Sequence, residues 1–113
     1  MSIDGIWTGE IYSPYGWENT GVYVLEHGVI LGGNNRHYSI GHYTVSGDTY
    51  QAQIRVHYYG PPRAIFGERR EEFNITVTGQ VREDVIDAEI HRPDRPEFSI
   101  EYRMTKRMDI PKV

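Results

Sequence analysis

The chain has no cysteine, which excludes disulfides, thiol nucleophiles and cysteine-based metal sites. It has no apolar run approaching the roughly 18 residues of a spanning helix, so no membrane span is expected. No long stretch carries a helical repeat of apolar residues, and no Gly-x-Ser-x-Gly nucleophile elbow or phosphate-loop pattern ending in Lys-Ser/Thr occurs. Positive charge is also short: the net charge is −4, which argues against direct nucleic-acid binding and against anionic membrane surfaces. The segment Met1-Ser2-Ile3-Asp4-Gly5 lacks the basic patch and apolar core of a signal peptide. The expected location is therefore the cytoplasm of a bacterium.

What is present points to β structure. The 113 residues include 9 tyrosines and 12 glycines, a composition suited to strands joined by tight turns. This length suits one domain with its own core, with residues 4–107 as the folded body and 108–113 as a loose tail. The clearest stretch is Tyr50, Ala52, Ile54, Val56 and Tyr58, interleaved with Gln51, Gln53, Arg55 and His57. Alternation with period two marks one buried and one wetted face of a strand. The same pattern recurs along the chain and gives about eight strands. They cover Gly5–Tyr12, Thr20–Glu26, Val29–Gly32, His37–Val45, Asp48–Tyr59, Glu71–Val81, Val85–His91 and a last one carrying Phe98, Ile100, Tyr102 and Met104. Ser13–Asn19, Gly33–Asn35, Gly60–Arg70 and Pro93–Pro96 read as the long connections, with one helical turn allowed at Ala64–Glu68. The remaining connections, at His27-Gly28, near Gly47 and at Glu83-Asp84, are tight. An up-and-down meander of this kind closes into an eight-stranded β-barrel, which removes exposed edges. Tight hairpins then close one end and long loops ring the other.

Two-residue hairpin turns pair residues of opposite parity, so the turns assign faces. With Tyr50, Ile54 and Val56 inside, Tyr43 and Val45 are inside and Ile40 and His42 outside. Around His27-Gly28, Tyr23, Leu25 and Ile30 point inward while Val22, Val24, Val29 and Leu31 point outward. An apolar patch on the outside of a barrel marks an interaction surface. Val22, Val24, Val29, Leu31 and Ile40 are accordingly the candidate interface for a homodimer or another protein. The inward set includes Trp7, Tyr23, Tyr43, Tyr50, Tyr58, Phe73, Phe98 and Tyr102. These side chains fill much of a small barrel and leave at most a narrow, tyrosine-lined pocket for a small apolar ligand.

Catalytic and metal chemistry find little support. The five histidines show no pair with ligand spacing on one face, and all are read as surface or turn residues. Asp87 and Glu89 share an outer face, where no cleft separates their pKa values for acid–base work. No cofactor and no enzymatic activity are expected. Arg63, Arg69 and Arg70 cluster in the connection after Tyr59 and could meet an anionic ligand.

Two resemblances bear on function. Gly5-x-Trp7 resembles the opening motif of lipocalin barrels, whose tryptophan packs over the closed end; this supports a lipocalin-like small-molecule carrier as an alternative. Over residues 4–107 the chain resembles the GrlR family, small negative regulators of type III secretion gene expression. The similarity is carried by Asp4-Gly5-Ile6, Gly21 and the alternation to His27-Gly28, Gly32-Gly33-Asn34, Gly41, and Ile54-Arg55-Val56-His57-Tyr58. It implies a lipocalin-like eight-stranded barrel that dimerises and represses by holding a transcriptional activator. The enteric regulators carry an acidic Glu-Asp-Glu-Asp run, associated with activator binding, at the turn that here reads Val45-Ser46-Gly47-Asp48-Thr49. Only Asp48 carries that role across.

Overall fold

A computed structural model describes residues 2–61 and 71–112. Eight antiparallel strands follow one another in chain order: β1 (Gly5–Ser13), β2 (Gly16–Glu26), β3 (Val29–Gly33), β4 (His37–Ser46), β5 (Thr49–Tyr58), β6 (Glu72–Arg82), β7 (Val85–Arg92) and β8 (Arg95–Met108). Each pairs with its neighbour, and β8 returns to β1 to close the barrel. Among the described residues no helix is long and apolar enough to cross a membrane.

The alternation read from the sequence sets the inside. Tyr50, Ala52, Ile54, Val56 and Tyr58 of β5 are buried beside Phe73, Ile75 and Val77 of β6. The turn assignments also hold. Leu25 pairs with Ile30 across His27-Gly28, and Ser46 pairs with Thr49 across Gly47-Asp48. His27 and Gly28 both have positive φ, at 51° and 82°, as a hairpin turn of the right twist requires. Val45, placed inside by parity, is partly buried against the core.

The end opposite the tight hairpins differs from the expectation of a ring of long loops. Ser13–Asn19 is not a loop: Ser13 pairs with Gly16 and Tyr12 with Trp17, so only Pro14 and Tyr15 make the turn. Its polar and aromatic composition resembles a loop, yet Tyr12 and Trp17 pack across the strands with ring centroids 5.3 Å apart, the kind of cross-strand pair that stabilises a ladder. Ser13 Oγ accepts from the Tyr15 amide at 3.1 Å and fixes the reversal. Pro93–Pro96 interrupts the ladder less than expected: the register shifts between His91 and Arg92, where Pro96–Phe98 bulge out of the pairing. Arg92 pairs with Arg95, and Pro93-Asp94 is a two-residue turn. Asp94 anchors it by accepting from Arg92 Nε and Nη2 at 3.1 and 2.8 Å. The last strand runs to Met108, so the tail starts later than expected. The region of Ala64–Glu68 lies outside the described residues.

Close approach of strands explains one glycine in particular. Gly41 occupies an inward position on β4, and a Cβ there would collide with the Gln53 carbonyl and the Ile54 backbone on β5. Gly41→Ala should therefore force β4 and β5 apart and cost about 1–3 kcal/mol. Urea unfolding would show this as a lower midpoint at unchanged slope.

Candidate functional sites: the lumen and the outer face of β2–β4

The lumen is filled by the residues expected there. Trp7 is fully buried, and its indole N–H donates to the Ile3 carbonyl at 2.9 Å, so the segment before β1 folds over it. Asp4, in the same segment, accepts from the His27 amide and from the Tyr43 hydroxyl, both at 3.2 Å. The tight-hairpin end is closed in this way by Trp7, Tyr43 and Tyr50, the two tyrosines stacked at 5.8 Å. Phe98 is only half buried.

Toward the other end the lumen becomes polar. The Tyr23 hydroxyl lies 3.1 Å from Thr20 Oγ1 and 3.4 Å from His37 Nε2. Tyr102 joins the cluster through hydrogen bonds with Thr20 and Tyr23. Burial is the main reason that the Tyr23 phenol is pushed up to about 12. His37 is buried, which corrects its reading as a surface or turn histidine. Its odd spacing from outward His42 was the signal for that. Arg92 is a further buried residue that its charge disguised, although it continues the inward series Ile86, Ala88 and Ile90. Its guanidinium lies over the Phe73 ring at 5.1 Å, and Phe73 packs on Tyr58 at 6.2 Å.

Between these groups remains a cavity of about 20 Å³, bounded by Tyr23, His37, Ser39 and Tyr102 on the polar side and Ile30 and Ile54 on the apolar side. One water needs roughly 10–15 Å³, whereas pockets for organic ligands run to about 300 Å³ or more. The lumen as folded has room for a water and not for a fatty acid.

The outer face of β2–β4 carries the second candidate site. Val22, Leu31, Ile40 and Tyr38 each leave 46–51% of their surface exposed, and Val24 leaves 37%. Val29 is half buried. The registers Val24↔Leu31 and Leu31↔Ile40 line these residues up in a row that ends on Arg55. A second row runs from Val22 past Gly33 to Tyr38, then His57 and Glu72. Gly33 contributes no side chain, so a dent separates Val22 from Tyr38. Tyr38 stacks on His57 at 5.0 Å and on Tyr59 at 6.5 Å. This aromatic ladder extends the patch beyond the five residues expected, and the parity that exposed Ile40 also exposes Tyr38. On the β5–β6 side the rows end in charge, with Arg55 and Glu72 3.7 Å apart, while Gln53, Asn74 and Thr76 beside them are polar and uncharged.

The remaining candidate residues do not join it. Asp48 lies in the turn after β4, at the other end of that strand from Tyr38, and its carbonyl accepts from the Val81 amide at 2.7 Å. Arg63, Arg69 and Arg70 lie outside the described residues. Asp87, on the β7 outer face, pairs with Arg82 and with Arg103 Nε, the latter at 3.0 Å.

No protein-family model and no curated protein matches this chain. The geometry therefore carries the functional reading.

Among the described residues the Tyr50 hydroxyl is buried without a hydrogen-bond partner. Burial raises its pKa, with the nearby Tyr43 adding to the effect. An unpaired buried hydroxyl costs about 1–3 kcal/mol. Tyr50→Phe should therefore stabilise the barrel by about 1 kcal/mol, and thermal unfolding should shift upward by several degrees. A lower melting temperature would show that the hydroxyl has a partner.

Proposed function

We propose that this chain is a small non-enzymatic regulatory protein that acts by protein–protein binding through the outer face of β2–β4. The observation that carries the reading is the pair of exposed rows, Val24–Leu31–Ile40 and Val22–Tyr38. Monomers rarely leave a contiguous apolar patch on a sheet without a partner for it. Interface cores are depleted in charge and enriched in aromatics, as Tyr38 and Tyr59 beside the aliphatic rows are. A closed barrel has no free edge to offer, so recognition falls to side chains on its wall. The reading agrees with the resemblance to the GrlR-type negative regulators of type III secretion, which implies a cytoplasmic homodimer that sequesters a transcriptional activator. Asp48 alone stands where those regulators carry their acidic run. An activator held by this chain would therefore meet the apolar wall more than an acidic turn.

The alternative of a small-molecule carrier is less well supported. A ligand would have to displace packed aromatic side chains, because the cavity of about 20 Å³ holds only a water.

Val24→Glu and Leu31→Lys place charges on the wall without entering the core. Each should weaken self-association or partner capture at least tenfold, about 1.4 kcal/mol, while stability stays within about 0.5 kcal/mol of the parent. Light scattering across a concentration series, together with affinity capture from the native host, reads both effects. Assembly unchanged in both variants would remove the proposal.

A further inference from the structure

The lumen holds a titratable group that partner binding does not use. His37 is the first residue of β4 and is 4% exposed. Its Nε2 faces the Tyr23 hydroxyl of β2 at 3.4 Å, and the Tyr58 ring of β5 meets it edge-on at 5.6 Å. The shared cavity adds Thr20 from β2, Ser39 from β4 and Tyr102 from β8, with Ile54, Val56, Ile75, Val77 and Ile90 as apolar walls. Among the described residues that lining contains no carboxylate. One ring beyond Tyr58 lies Phe73, and over it the Arg92 guanidinium, a like charge for any imidazolium.

The backbone at His37 is held as carefully as its ring. Asn34 Oδ1 accepts from the His37 amide at 3.1 Å, and the Asn34 amide donates to the His37 carbonyl at 3.0 Å. The Asn34 side chain also donates to the Thr20 carbonyl at 3.0 Å. One asparagine therefore clips the start of β4 to β2, and the neutral imidazole fills the space behind the clip.

We propose that His37 is an acid-sensitive latch at the mouth of the barrel: neutral, it completes the Thr20–Tyr23–Tyr102 cluster, and on gaining a proton it parts the start of β4 from β2. An imidazolium has two N–H donors and a charge to solvate. The cavity has room for one water, not for a hydration shell. The protonated ring must therefore reach solvent, and the route is outward past the Asn34 clip.

Burial lowers the His37 pKa below its ordinary 6.5. The unfolded chain then takes up the proton at a higher pH than the folded one. Stability from this group is complete above 6.5 and is lost as pH falls through the lower folded value. The loss approaches about tenfold in the folding constant per pH unit. Tyr38 and Ile40 lie on the same strand, so loosening β4 would disturb the outer face. That consequence rests on the function proposed above, whereas the latch is tested on the chain alone.

Imidazole resonances of the full chain, followed by NMR from about pH 8 to about pH 5, should show His37 titrating below the ordinary 6.5. Amide exchange at His37, Tyr38 and Ser39 should accelerate over the same range. In urea unfolding the acid loss should vanish in His37→Gln and persist in His57→Gln. A His37 titration at or above 6.5 overturns the latch, as does an unchanged acid loss in His37→Gln. Should that variant fail to fold, the parent's imidazole titration and amide exchange decide.

Discussion

The width of an eight-stranded barrel is the constraint on which the rest of this structure depends. A tube of this size has room for side chains and little else, so inward residues from all eight strands must fit one another. Large aromatics fill both ends, with Trp7, Tyr43 and Tyr50 at one and Tyr58, Phe73 and Tyr102 towards the other. Gly41 lets the wall approach itself where no side chain fits. Tyrosines bring hydroxyls into that space, and each needs a partner. Tyr23 and Tyr43 find Thr20 and Asp4, whereas Tyr50 has no partner among the described residues.

A filled lumen changes what the molecule can offer to others. Among the described residues the lumen holds no pocket of ligand size, so the proposed recognition falls to the outer wall. There the barrel is asymmetric: β2–β4 present aliphatic and aromatic rows, β5 and β6 a polar face with few charges, and β7 charged pairs such as Asp87 with Arg103. The same β4 strand places His37 in the lumen and Tyr38 and Ile40 outside. Inner packing and outer face are thereby joined through a single strand, as period-two alternation requires.

Much of this was legible from residue order because alternation and hairpin parity are local rules. With a two-residue turn at His27-Gly28 and another at Ser46-Gly47 or Gly47-Asp48, which give the same parity, the faces of four strands follow, including the outward Val22, Leu31 and Ile40. Parity also holds the signal for buried His37, although its polarity favours solvent, whereas Arg92 lies one residue beyond the expected end of its strand at His91. Turn lengths at the far end escape these local rules for a different reason. Ser13–Asn19 and Pro93–Pro96 have loop composition. All but two residues of each are strand: Tyr12 packs on Trp17 across the ladder, and Asp94 within its turn holds the Arg92 side chain.

The sequence by itself determined the strands, their inner and outer faces and the oily wall on β2–β4, since each depends on neighbours within one hairpin. Only the tertiary structure decided how full the lumen is, which buried hydroxyl lacks a partner, and that His37, Tyr23 and Tyr102 meet around one small cavity. Those outcomes depend on how side chains from strands distant in the chain share a fixed volume, and no local pattern encodes a volume.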